Sequence, residues 1–235
     1  MTSHVSKNPL RPRRADGEAT RWRILEEAGK LIAVSGFAET SSKSIAQKAG
    51  VDLASINYHF GSRAGLYQAV LAEAHSRLIS MKVLTEVGAS GLPARDKLRK
   101  VIESMVKSAT SRQSWHTRVL GRELLSPSSH LAVLQTMEVL PKFQVVLTIL
   151  SEITGLAPDD PALSRCLISV GAPCAMLLVV GRHATIFSDI VTATPKEILV
   201  EHLYHFALGG LEAIARKRSG HPLSPAVRMS GNFDQ

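Results

Sequence analysis

Between Lys43 and Arg63 the chain carries side chains suited to a nucleic-acid duplex: three cations (Lys43, Lys48 and Arg63), several hydroxyls and the triplet Asn57-Tyr58-His59. If a short helix starts after Asp52, Ser55, Ile56 and Phe60 return one edge inward, and Leu53, Ala54, Asn57, Tyr58 and His59 are left outside. So little charge is unusual for a solvated face and suits a helix lying in the major groove. There an asparagine amide pairs with base edges, small apolar groups meet thymine methyls, and tyrosine and histidine reach phosphates.

Two helices and a turn must hold that face in place. Ser41 or Ser42 can cap a first short helix whose Ile45, Ala46 and Ala49 share one side. Gly50 can adopt the left-handed backbone that ends it, and Val51 then plugs between the helices. Asp52 is placed to cap the outward-facing helix and Ser62 a third one. This arrangement is a helix-turn-helix. Upstream, Trp22, Leu25, Ala28, Leu31 and Ile32 recur at helical spacing from Gly17 to Ser35 and form a supporting helix that Phe37 closes. Arg21 and Arg23 on it either touch phosphates or stay solvated. Downstream of Ser62, the stripe Leu66, Val70, Leu71, Ala74, Leu78 and Met81 predicts one unbroken rod to about Thr85.

The run IAQKAGVDLASINYHFGSRAGLY, with Ile24-Leu25-Glu26-Glu27-Ala28 and Ser35-Gly36-Phe37-Ala38-Glu39-Thr40 before it, resembles the N-terminal domain of the tetracycline-repressor (TetR/AcrR) regulators. The segment Arg118-Val119-Leu120-Gly121-Arg122-Glu123-Leu124-Leu125-Ser126-Pro127 resembles the C-terminal domain of the CecR/CerR subgroup. The resemblance implies an all-α fold, a three-helix DNA-binding domain followed by a helical ligand-binding and dimerisation domain. It implies a homodimeric, sequence-specific transcriptional regulator, a repressor controlled by a small-molecule effector. Carried over by position, it implies base reading by Lys43, Leu53, Ala54 and Asn57, and phosphate contacts by Ser42, Ser55, Tyr58, His59 and Arg63. The domains it suggests are a basic arm at 1–17, the DNA-binding domain at 18–65, the regulatory domain at 66–218 and a disordered tail at 219–235.

Composition agrees with that class without proving it. The formal charge is +8 and the pI near 9.8, which favours a polyanionic partner. Lys7, Arg11, Arg13 and Arg14 make the N-terminal arm either a segment suited to a groove or to phosphates or a merely solubilising tail. The first fifteen residues have no apolar core of the kind a secretory signal needs. Cys166 and Cys174 lie in an apolar run and read as buried thiols of a cytoplasmic protein. That run, Cys166 to Gly181, falls short of the ~20 residues a membrane span needs, so no membrane is expected as a partner.

In the second domain a helix over 95–112 exposes Arg95, Lys97, Arg99 and Lys100 and buries Leu98, Ile102, Met105 and Val106. A short helix follows over 115–125, in which Arg122 either pairs with Glu123 or faces an anionic ligand. Pro141 predicts a kink near Leu140 in the helix 131–154. The last two long helices, 162–190 and 195–217, carry more apolar surface than one monomer covers and are assigned to a homodimer interface, with Ile198, Leu199, Leu203, Phe206, Leu211 and Ile214 as its second stripe. Effector-pocket candidates are Met105, Trp115, Leu120, Met137, Phe143, Met176, Leu177 and His183, chosen as large or polarisable side chains. His202 and His205 have metal-binding spacing, but no cysteine or carboxylate cluster completes a site, and neither metal nor cofactor is expected. No nucleophile elbow, phosphate loop or dinucleotide fingerprint is present, so the chain is not read as an enzyme. A helical protein-binding adaptor is the rival reading.

Overall fold

The computed structural model describes residues 12–111, 114–180 and 186–218. The arm up to residue 11, the tail from 219 and His183 lie outside them. The fold is all-helical, with no strand among the described residues. The described residues form two compact units, one within 1–80 and 111–140, the other within 81–110 and 141–235.

In the first unit α1 spans Pro12–Ser35, α2 Ser42–Ala49, α3 Leu53–Phe60, α4 Arg63–Leu78, α7 Trp115–Leu125 and α8 Leu131–Leu134. Helix α1 starts before the expected Gly17, with Pro12 in its first turn, where a missing N–H costs nothing. It packs on α2, α4 and α7 through Ile24, Leu25, Ala28 and Ile32. Trp22, expected in this stripe, is 42% exposed, because it lies on the flank of the Ile24-Ala28-Ile32 row. Its ring centroid lies 5.7 Å from the Arg77 guanidinium. The predicted rod to Thr85 is broken. Helix α4 stops at Leu78, and Ile79 is extended (φ −147°, ψ 114°) before a separate helix α5, Met81–Ala89. Leu78 and Ile79 would diverge by about 100° in a continuous helix, and the extended residue lets both be buried. Near Pro141 the helix loses its regular ladder without breaking: α8 passes into a π-helical stretch, Gln135–Val139, just before α9, Leu140–Thr154.

Two glycines set the closest approaches in this unit. A Cβ on Gly29 would lie 2.5 Å from the Trp115 ring, so α7 lies against α1 at that point. The Trp115 indole N–H donates to Glu26 at 2.9 Å, and His116 stacks on the indole at 3.8 Å. His116 Nδ1 meets the Ser114 hydroxyl at 2.7 Å, while its buried Nε2 has no partner among the described residues. Burial holds this imidazole below its ordinary pKa of 6.5. At Gly65 a Cβ would stand 2.2 Å from the Phe60 carbonyl oxygen, so only glycine lets α4 begin this close to the end of α3.

The second unit is built round α6, Ala94–Ala109, which contacts α5, α10 (Pro161–Val180) and α12 (Lys196–Arg218); α11, Ile186–Ala193, packs on α10. Lys97, expected in solvent, is buried, with Nζ 3.5 Å from Glu152. It stands one turn before Val101 on the inward face, so its stem is covered. Arg95 pairs with Glu212 at 2.9 Å and Arg99 with Glu201, tying α6 to α12. Cys166 and Cys174 are buried thiols on α10, and burial pushes Cys174 up to about 11. Counted from Pro161, α10 is long and apolar enough to cross a membrane by length and composition alone, contrary to the shorter run counted from Cys166. Its Leu163, Val170, Leu177 and Leu178 belong to the core of this unit.

Two outcomes follow. Gly65→Ala should lower unfolding stability by about 1–3 kcal/mol, the cost of overpacking, read by urea denaturation. Because the unfolded chain takes up a proton on His116 more readily than the folded one, stability from this site is complete above pH 6.5 and declines as the pH falls below it. His116→Gln should flatten that part of a melting-temperature profile between pH 7 and 5.

Candidate nucleic-acid interface

The helix-turn-helix is fixed by short-range hydrogen bonds. Ser41 Oγ caps α2 by accepting from Ser44 N–H at 3.0 Å. Gly50 ends α2 in the left-handed region (φ 63°), and Val51 N–H returns to the Ala46 carbonyl at 3.0 Å. Asp52 Oδ1 caps α3, accepting from Ser55 N–H at 2.7 Å and Ser55 Oγ–H at 2.6 Å. Those two bonds hold its carboxyl below the usual range. Ser62 Oγ caps α4 through Gly65 N–H at 3.0 Å. Ile45, Ala46, Ala49 and Ile56 are buried between the helices.

What remains outside is the predicted face. Lys43, Leu53, Ala54, Asn57 and Tyr58 are exposed, with Tyr58 at 85%, and Ser42, Ser55 and His59 are partly covered. The Tyr58 and His59 rings meet edge to face at 5.0 Å. Ser55 is placed differently in detail from a free phosphate donor, since its hydroxyl proton goes to Asp52. Arg63 departs further. Its guanidinium donates to the backbone carbonyls of Phe37, Ala38 and Thr40 and lies 4.2 Å over the Phe37 ring. It therefore ties the α1–α2 connection to α4. Arg21 lies 4.9 Å from the Phe60 ring centroid, a packing role the sequence pattern did not reveal.

A buried polar network that sequence spacing does not reveal joins α4 to the α7–α8 connection. Glu123, 3% exposed, accepts from Tyr67 O–H at 2.7 Å, Ser128 N–H at 2.8 Å and Ser128 Oγ–H at 2.7 Å. Desolvation and the neighbouring carboxylate push the Tyr67 phenol well above its ordinary pKa of 10.0. Phe37 stacks on Tyr67 at 4.2 Å, and His130 meets both rings edge-on at 5.4 Å. Arg122 donates to the Val34 carbonyl at 2.7 Å, near the end of α1, and forms no ion pair with Glu123 among the described residues. Adjacent residues on α7 point about 100° apart, and so each finds a different helix. The signal was available in the juxtaposition Arg122-Glu123 beside Ser128, but the partners lie 56 and 88 positions away.

The effector-pocket candidates are divided between the two units. Trp115 and Leu120 are core residues of the first unit, and Met137 there is 71% exposed. In the second unit Leu177 is buried, Met105 half-buried, and Phe143 and Met176 exposed. Of the metal candidates, His205 lies 3.4 Å from Glu201 one turn away, and no group of metal-ligating side chains occurs among the described residues.

Comparison with known proteins adds to this geometry. Residues 24–70 match the model of bacterial regulatory proteins of the tetR family, and residues 94–211, half of the chain, match the C-terminal domain of the HTH-type transcriptional dual regulator CecR. The fold is similar to that of the fatty acid degradation regulator FadR from Bacillus halodurans (18% identity, TM-score 0.63, covering 88% of this chain and 98% of that one). It is similar also to a TetR-like transcriptional regulator from Rhodococcus sp. RHA1 (18%, 0.59, 82% and 96%) and to the hemolysin II transcriptional regulator HlyIIR (18%, 0.56, 80% and 97%). At such identities these structures carry the fold alone. No curated relative matches the chain.

Tyr67→Phe keeps the stack on Phe37 and removes one of the three donors to Glu123. It should cost about 1–3 kcal/mol, the penalty for an under-satisfied buried polar group, measured by urea denaturation.

Proposed function

Because the chain belongs to the tetR family of bacterial regulatory proteins and carries a C-terminal domain of the CecR type, we propose that it is a repressor that grips operator DNA with the outward face of α3 and responds to a small-molecule effector held by the C-terminal domain. That it is a DNA-binding transcriptional regulator follows from the family. The observation that carries the finer reading is the exposure of Leu53, Ala54, Asn57 and Tyr58 together on a helix capped at both ends. In this reading Lys43, Leu53, Ala54 and Asn57 meet base edges, and Ser42, Tyr58 and His59 meet phosphates. Arg63 contributes by holding the α1–α2 connection in place, and Ser55 by fixing the Asp52 cap. Residues 18–65 carry the DNA contacts and residues 66–218 the regulatory ones.

The operative form is a homodimer through α10 and α12. Supporting this, Ile168 and Met176 on α10 and Ile198 and Phe206 on α12 are exposed, Phe206 at 73%. A pair of symmetry-related reading helices needs such a partner to hold a fixed half-site spacing.

The test is selection of a duplex from a random library, followed by affinity measurements on the selected fragment. Binding should weaken steeply with salt. Asn57→Ala should lower discrimination at particular base pairs by about 1–3 kcal/mol, whereas Tyr58→Ala should weaken all sequences alike. Phe206→Asp should yield monomers in light scattering and reduce operator affinity. Failure of the wild-type chain to retain any fragment would favour the adaptor.

A further inference from the structure

The supporting and reading helices of the first unit are capped in two chemically different ways. Helices α2 and α4 are capped by neutral serine hydroxyls, Ser41 and Ser62, whereas α3 alone is capped by a carboxylate, Asp52. Over residues 40–72 Asp52 is the one acid, against the three cations Lys43, Lys48 and Arg63. Capping does not require the charge, since asparagine and serine cap about as well as aspartate. A negative charge at the edge of a DNA-facing surface also works against binding a polyanion. The carboxylate is exposed, and one oxygen, Oδ1, takes both hydrogen bonds from Ser55. Oδ2 has no partner among the described residues. Asp52 thus presents a fixed acceptor beside Leu53 and Ala54, its orientation set by the cap.

We propose that Asp52 is a specificity-determining residue, whose free carboxylate oxygen accepts a hydrogen bond from the exocyclic amino group of one cytosine in the major groove. A carboxylate is acceptor-only. Cytosine presents an amino donor in that groove without an acceptor of its own, whereas adenine sets N7 beside its amino group and guanine and thymine offer carbonyl oxygens. Those acceptors repel Oδ2. The same charge disfavours unspecific contact with phosphates, so Asp52 sharpens selection by lowering affinity for every wrong sequence. This inference rests on α3 being the reading helix.

The experiment uses the full-length chain and the duplex selected by it. Wild type, Asp52→Asn, Asp52→Ser and Asn57→Ala are titrated against that duplex, against each single C·G to T·A change in a half-site, and against a scrambled duplex at low salt, with melting temperatures recorded for all. Wild type should show a penalty on the order of tenfold at one cytosine. Both Asp52 variants should lose that penalty while keeping those lost in Asn57→Ala, and should bind the scrambled duplex several-fold tighter. Two neutral variants keep a cap in place, so a loss of folding in one leaves the other to decide. If Asn57→Ala loses a penalty and both Asp52 variants keep all of theirs, Asp52 is only a cap and the proposal falls alone. If none of the three variants changes any penalty, α3 does not read bases and the proposal falls with that assignment.

Discussion

The carboxylate of Glu123 is the group on which the arrangement of the first unit depends. It is out of water, and an ion placed there without donors would cost several kcal/mol. Three donors meet it, one from α4 and two from Ser128, so α4 and the α7–α8 connection must be correctly placed together. Tyr67, which supplies the donor from α4, is also the residue on which Phe37 stacks. Phe37 in turn carries Arg63 on its other side. The chain of contacts thereby runs from a buried carboxylate through two rings to a guanidinium at the first residue of α4, just after α3.

The basic residues of this unit divide by what their protons meet. Arg63 and Arg122 spend theirs on backbone carbonyls left open at the ends of α1 and its following turn, where a cation also suits the helix dipole. Arg21 and Arg77 lie over aromatic rings. Lys43 is left outward-facing on α2. A positive formal charge thus overstates the number of cations free to meet a polyanion.

Local chemistry was legible and distant chemistry was not. The serine and aspartate caps, the turn at Gly50 and the irregular helical stretch before Pro141 each depend on residues within a few positions, and sequence spacing located them. The outward position of Asn57 and Tyr58 followed from helical geometry, and the family resemblance followed from the same stretch. The role of Arg63, the burial of Lys97 and the outward turn of Trp22 depend on partners or packing far away in sequence. Ile79 shows the limit of periodicity most clearly. An apolar stripe continued through it, yet two adjacent residues both needing burial outweighed the regular hydrogen-bond ladder.

The contact between Gly29 and Trp115 gives the molecule an optical signature. Of its two tryptophans, Trp115 is shielded, hydrogen-bonded and stacked on an imidazole, while Trp22 stands half in solvent beside a guanidinium. Their emission comes from a dry and a wet environment. Separation of α7 from α1 would therefore register as a red shift of one fluorophore against the steady background of the other, without any label being attached.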